Sequence, residues 1–341
     1  MNVRVPVPAK SAVGRLLQSD EPGIRYLTHR DVLGDLVAAD AEQIMTGPKV
    51  RALLSGQQAD GGFGEANPGR GWRSTKWRLV ALVELGASPD DPRVLAAADY
   101  YLDWVLGLRQ HRRGPTVING LPRVCAHTEG TALVVGSRLG MGEDPRLRTL
   151  AQALLDWRWP DGGWNCGHAA SGRRSTFHES LTAAWGLHEF ALVSGDEASD
   201  AAAGRAAELF LDHRLIYSNG TGIPSERRPS PPPRDAVINS RWPKLGYPSY
   251  WHYDILAALM FVARRGSITD ERAGRGLDHL RAKQRDDGLW AADDQWWKPA
   301  DSRFRHQYEV VDWGLPGQPS EMITLNALRI LRAANRLDLD G

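Results

Sequence analysis

The sequence predicts an all-α protein, an α/α toroid of about five or six helical hairpins with inner and outer helix rings. Three observations carry this. A short frame, (Q/R)-x-x-D-G-(G/L)-(F/W), occurs at "QQADGGF" (57–63), "RWPDGGW" (158–164) and "QRDDGLW" (284–290). Each copy closes an amphipathic segment and is followed, after a polar loop, by a segment apolar on nearly every side. Alternating β-branched runs of period two are scarce, which argues against a sheet. Helices buried all round, alternating with helices buried on one stripe, are satisfied together when the first kind rings a centre and the second packs outside it.

In chain order, residues 1–44 read as an N-terminal helical cap and repeats run from about 45 to 335, the whole chain 1–341 forming one domain. "VRALLSG" (50–56) is outer and "LVALVELG" (79–86) inner. "DDPRV" (90–94) and "EDPRL" (143–147) restart outer helices, with Asp91 and Asp144 as N-caps and proline at the first helical position. "TALVVGSRLG" (131–140), "LTAAWGLHEFAL" (181–192), "ILAALMFVARRG" (255–266) and "ITLNALRILRAA" (323–334) supply further inner helices; "LAQALLDW" (150–157) and "GLDHLRAK" (276–283) are outer. Ser74, Ser175 and Ser320 stand where inner-helix caps are expected. Two long irregular stretches, 217–250 and 292–320, lead into inner helices and are expected to rise over one mouth as lids or binding loops, the proline run at 231–233 being stiff and extended.

Composition narrows the function. With 341 residues and 42% hydrophobic content the chain can bury a large core. A net charge of +1 and no long run of like charges give no attraction to nucleic acid. No stretch is long and apolar enough for stable membrane insertion, the start lacks a secretory core, and two cysteines make no disulfide framework; a cytoplasmic protein is expected, in an oligomeric state the sequence does not specify.

Aligning the inner segments on their apolar cores places a ring of polar residues at their first turns. These are Arg73, Lys76 and Trp77; Cys125, His127 and Glu129; His178 and Glu179; Trp251, His252, Tyr253 and Asp254; and Glu321. Capping accounts for serines there, not for several histidines and carboxylates at equivalent places. A histidine near neutrality, held in one tautomer by a neighbour, suits acid–base chemistry. The expectation is that His178 and His252 act as acid and base on a small-molecule substrate, with Glu129, Glu179, Asp254 and Glu321 tuning or orienting them. Arg73 and Lys76 would hold an anionic group, and Trp77, His127, Trp251 and Tyr253 would contact substrate. The rival is a non-catalytic binding protein whose toroid mouth takes a peptide or hydrophobic ligand.

The D-G-G-W frame closing an outer helix resembles the QW-type repeat of the terpenoid cyclase and protein prenyltransferase superfamily, over about residues 45–335, and implies a single-toroid, bacterial-type member. "DGGWNC" and "STFHESL" also resemble a bacterial group described by prenyltransferase and squalene oxidase repeats. The resemblance implies structural roles for Gln57, Phe63, Asp161, Trp164, Gln284 and Trp290, and a central-cavity enzyme acting on an isoprenoid-derived or other small, partly apolar substrate. Neither the Asp-x-Asp-Asp nor the Asp-Asp-x-x-Asp motif of terpene cyclases occurs. Because prenyltransferases hold zinc at inner-helix starts with aspartate, cysteine and histidine, the resemblance also implies a possible zinc, near His178 with His252 and either Cys125 or Cys166, leaving one position open. The Asp-x-Cys element is missing.

Overall fold

Each copy of the repeated frame folds into the same turn. The backbone N–H of Gln58, Trp159 and Arg285 bonds the carbonyl of Gly62, Gly163 and Leu289 at 2.8, 2.8 and 2.9 Å. The glycine after the aspartate is left-handed in all three (Gly61 φ 89°, Gly162 φ 99°, Gly288 φ 79°). Only that position requires glycine, which is why its neighbour can be Leu289. The aromatic residue then turns under its outer helix: Trp164 Nε1 donates to Leu154 O at 2.9 Å and Trp290 Nε1 to Leu280 O at 2.8 Å. Their backbone N–H groups bond hydroxyls on the following inner helices, Ser180 Oγ at 3.0 Å and Thr324 Oγ1 at 3.1 Å. Gln57 bridges Gly61 O and Arg93 O, tying this turn to the next outer helix.

The protein is described by a computed structural model covering residues 7–64, 67–111, 114–221, 233–298 and 309–337. Its helices are α1 (Val7–Leu17), α2 (Pro22–Thr28), α3 (Ala38–Gln43), α4 (Pro48–Leu54), α5 (Thr75–Glu84), α6 (Pro92–His111), α7 (His127–Arg138), α8 (Pro145–Trp157), α9 (Phe177–Ser194), α10 (Glu197–Asp212), α11 (Ile255–Arg264), α12 (Gly274–Ala282) and α13 (Glu321–Ala333). A two-stranded antiparallel hairpin, β1 (Thr116–Ile118) and β2 (Leu121–Arg123), precedes α7. No helix among the described residues is long and apolar enough to cross a membrane.

Helices α5, α7, α9, α11 and α13 pack in sequence as the inner ring, and α4, α6, α8, α10 and α12 lie outside them. The segment expected as a cap closes the circle: α2 packs against α13, and Gly23 sits so close to the end of α5 that an added Cβ would meet Leu85 O at 2.4 Å. Helix α2 thus lies between α13 and the end of α5. Helices α7 and α9 touch backbone to backbone, since a Cβ on Gly130 would meet Thr182 O at 2.4 Å and one on Gly186 would meet Gly130 O at 2.3 Å. Asp144 and Ser320 cap as expected, accepting from Arg146 N and Ile323 N. Ser74 occupies the N-cap of α5 without a capping bond, and Thr176 replaces Ser175 at α9, where Ser175 bonds Asp161 instead.

Toward the inner-helix starts, only small spaces remain in the middle of the ring. The described parts of the two long stretches are bridged by Leu245 N to Asp293 Oδ2 (2.7 Å) and Asp293 N to Leu245 O (2.8 Å), and the end of the first one turns into the ring. Tyr247, Pro248, Ser249 and Tyr250 enter the centre and leave spaces of about 70 and 60 Å³ against Glu84, Thr182 and Trp185. Tyr250 stacks on Trp72 (4.1 Å) and donates to the buried Glu309 at 2.5 Å, while Trp297 Nε1 donates to Tyr247 O at 3.2 Å. Residues 222–232 and 299–308 lie outside the described residues, and with them most of the proline run.

At the other end of the ring, charged residues near the C-terminal ends of the inner helices meet in a half-buried ionic network around the buried Glu84, lining a space of about 660 Å³. Glu84 accepts from Arg138 at 2.6 Å and Arg264 at 2.8 Å. Arg138 also bonds Glu189 at 2.7 Å, and Arg329 bonds Asp31. Burial alone would push Glu84 up, but Arg264, Arg138 and Arg329 outweigh it and hold its carboxyl at about 2.

Candidate functional site at the inner-helix starts

Three neighbouring inner helices deliver one polar cluster. Lys76, in the first turn of α5, is 2% exposed; its ammonium lies 3.3 Å from His127 Nδ1 and 4.2 Å over the Trp77 ring. Burial brings that amine down to about 7, against the pull of Glu179, Glu129 and Cys125. His127 opens α7, and burial together with Lys76 pushes its imidazole well below the ordinary range. Glu179, in the first turn of α9, is buried and accepts the His127 backbone N–H at 3.3 Å. Its carboxyl is raised by burial despite hydrogen bonds from Cys166 and the backbone.

The two cysteines complete this cluster. Val124 N–H bonds Asn165 O at 3.0 Å, which lays the segment entering α7 beside the turn entering α9. Asn165 braces that turn, accepting from Gly167 N at 2.6 Å and donating to Arg174 O at 2.7 Å. As a result the sulfurs of Cys125 and Cys166 and a Glu179 carboxylate oxygen lie within 4.8 Å of one another. Cys125 is exposed and Cys166 half-buried, and contact with Cys125 and burial push the Cys166 thiol up.

An aromatic wall flanks the cluster. Trp251, 37% exposed, stacks on His127 (6.4 Å) and His252 (3.8 Å) and meets His178 edge-on (5.7 Å). His252 lies flat against Trp296 and, by burial, is held down to about 3. The two histidines come within 6.1 Å, centre to centre, in opposite tautomers. Ser249 O can only accept, so His252 Nδ1 carries the hydrogen at 3.1 Å; Tyr253 N–H can only donate, so His178 Nδ1 accepts at 2.8 Å. Neutral His178 thus presents Nε2–H, and neutral His252 an Nε2 lone pair. Burial lowers His178 as well.

The structure thus brings together Lys76, Trp77, Cys125, His127, Glu179, His178, Trp251 and His252, with Glu129 buried beside Lys76 and Arg73 half-buried at the rim. Three expected members stand apart. Asp254 caps α11, accepting from Ala257 N at 2.8 Å, and does not orient His252; burial raises it to about 7. Tyr253 is a core residue whose hydroxyl bonds Leu215 O at 2.7 Å among Phe177, Phe210 and Trp242, away from the aromatic wall. Glu321 pairs with Lys49 at 3.0 Å, and Glu21 lies near it, so it touches neither histidine. The donors that converge are both cysteines with Glu179, not one cysteine with His178 and His252. Cys125 and Glu179 stand at inner-helix starts, which the sequence showed; Cys166 lies in the loop after Trp164, well ahead of α9, and its approach depends on the pairing of Val124 with Asn165.

No family model matches the chain, and no curated protein matches it. Among solved structures it is similar to a protein from Actinoplanes (17% identity, 98% of this chain and 92% of that chain, TM-score 0.36). It is similar to type II terpene cyclase MstE from Scytonema (16%, 85% and 96%, TM-score 0.29). It is also similar to a variant of UGL with dGlcA-Glc-Rha-Glc (17%, 97% and 97%, TM-score 0.44). Likeness at this identity concerns the course of the chain and carries no chemistry.

What the cluster offers chemically is a buried amine within hydrogen-bond distance of an imidazole, a carboxyl that keeps its proton more readily than usual, and two thiols open to solvent through Cys125. Of these groups the Lys76 amine, brought down to about 7, is the one placed to exchange a proton near neutrality.

Proposed function

We propose that this chain is an enzyme that performs acid–base chemistry on a small, partly apolar molecule, isoprenoid-derived substrates included, at the mouth formed by the starts of α5, α7 and α9. The observation that carries the reading is Lys76: a lysine with its amine buried against His127, below the exposed ring of Trp251. A buried ammonium is costly to hold unless it is used or paired. In this reading Lys76 and His127 pass one proton between them, Glu179 takes or supplies a second, and Trp251 covers the apolar part of the substrate. His178 supplies an N–H and His252 a lone pair to a polar group lying between them. Reaction occurs at the rim, because Tyr247–Tyr250 fill the centre.

The test is consumption. Small-molecule extracts incubated with wild type and with Lys76→Met are compared by mass spectrometry; a compound consumed by the first and untouched by the second is expected. Lys76→Met replaces a buried cation by an apolar chain of similar length, so it should fold at least as well as wild type. If wild type and variant alike consume nothing but retain a compound on gel filtration, the mouth is a binding surface.

A further inference from the structure

We propose that Cys125, Cys166 and Glu179 form a three-ligand site for a zinc-type divalent cation, with a fourth position open to solvent on the side of the exposed Cys125. The inference deepens the reading of this mouth as a reactive site and rests on it; with the ion bound, Glu179 serves as a ligand and proton exchange falls to Lys76 and His127. The donor atoms lie within 4.8 Å of one another, a spacing that a central ion can bridge with modest adjustment of the side chains. They are held by backbone: Val124 pairs with Asn165, Thr176 N bonds Trp164 O at 2.8 Å, and the Gly130–Gly186 contact fixes α7 against α9. Ligands supported in this way keep their geometry when an ion arrives.

Charge agrees. Two thiolates and one carboxylate around a divalent ion leave one negative charge, and the Lys76 ammonium is the buried cation beside Glu179 and Cys125. Two sulfur donors favour zinc over magnesium or calcium, which take oxygen. Three protein ligands and an open position is the composition of a catalytic rather than a structural zinc site. The set differs from aspartate, cysteine and histidine: it uses both thiols of the chain, and both imidazoles nearest the wall stay outside it, their Nδ1 atoms occupied by Ser249 O and Tyr253 N.

Binding balances as follows: the ion takes the place of one proton on each thiol, so two protons leave per ion bound while Glu179 enters as carboxylate. Cobalt(II), titrated into the reduced full-length protein, is the probe. The expected result is a thiolate-to-cobalt charge-transfer band that saturates at one equivalent, release of two protons per ion in weak buffer, and loss of the band on adding one equivalent of zinc. Cys125→Ser and Cys166→Ser should each weaken the band and the binding, and Glu179→Gln should weaken binding while the band persists; circular dichroism confirms that each variant is folded. A folded wild type without the band overturns the proposal, as does a band unaffected by either serine variant. Unchanged affinity in Glu179→Gln overturns the three-ligand site. Consumption of substrate by a protein that shows no band refutes the metal alone, whereas a full cobalt response without consumption of any compound refutes the enzyme reading alone.

Discussion

Replacing Glu84 by glutamine should destabilise the protein by about 3 kcal/mol at neutral pH, and the deficit should vanish in acid. The carboxyl is 8% exposed and receives Arg138 at 2.6 Å and Arg264 at 2.8 Å. Held at about 2 where an unperturbed glutamate sits at 4.5, it contributes about 3 kcal/mol, at roughly 1.4 kcal/mol per pH unit. A second route gives the same size: removing one partner of a buried pair leaves the other charge uncompensated, at about 3–5 kcal/mol. Arg138 keeps Glu189, so the lower end applies. Because the folded carboxyl titrates below its unfolded value, the stabilisation is complete above pH 4.5 and is lost as pH falls toward 2. Urea unfolding of wild type and Glu84→Gln at pH 7, and melting temperatures between pH 7 and 2.5, measure both statements. A variant within about 1 kcal/mol of wild type at neutral pH, on a scale where surface changes cost about 0.5, or a gap that stays constant in acid, refutes the reasoning.

Asp254→Asn should behave oppositely: native Asp254 keeps its proton up to about 7 whereas the unfolded chain releases it near 3.8. Wild type therefore loses stability as pH rises through that window, by up to about 4 kcal/mol; the asparagine, which still caps α11, should melt higher than wild type at pH 8 and not at pH 4. Gly130→Ala forces a methyl against the Thr182 carbonyl, so it should cost about 1–3 kcal/mol or more and, by separating α7 from α9, weaken cobalt binding at the thiols. Trp290→Ala removes a fully buried indole and its bond to Leu280 O; an unfolding deficit of about 3–5 kcal/mol is expected, and a deficit under about 1 kcal/mol would remove this ring from the core.

The helix alternation was readable because burial on all sides leaves a compositional mark: α9 and α11 lack a polar face, whereas α8 and α12 have one. The recurrent turn was readable for a sterically simple reason, the left-handed glycines at 61, 162 and 288. Ring closure by α2 was not, since seven residues carry too little periodicity to show which face is buried. The site divided along similar lines. Lys76, His127, Glu179 and His178 follow from their equivalent places at inner-helix starts. Asp254 failed because an N-cap and a site carboxylate occupy the same position in sequence, and only the bond to Ala257 N separates them. Charges at the far ends of the inner helices, Glu84, Arg138, Glu189, Arg264 and Arg329, recur as regularly as the polar starts, but the pairing among them depends on helix rotation that spacing does not fix.

The segment 247–250 gives the ring an unusual division of labour. With those residues seated between the inner helices, the ring is closed on the side of the inner-helix starts, where a guest meets a surface instead of a container, and its larger space, about 660 Å³, lies at the opposite end. On the proposed reading the length of a molecule is then not limited by the depth of the barrel: a long chain would lie across Trp251 with its far end in solvent, and only the few atoms over Lys76, His127 and the thiols would need to fit. Selectivity would follow from the chemistry at one end of the guest, and a series of homologues differing only in tail length should be handled alike.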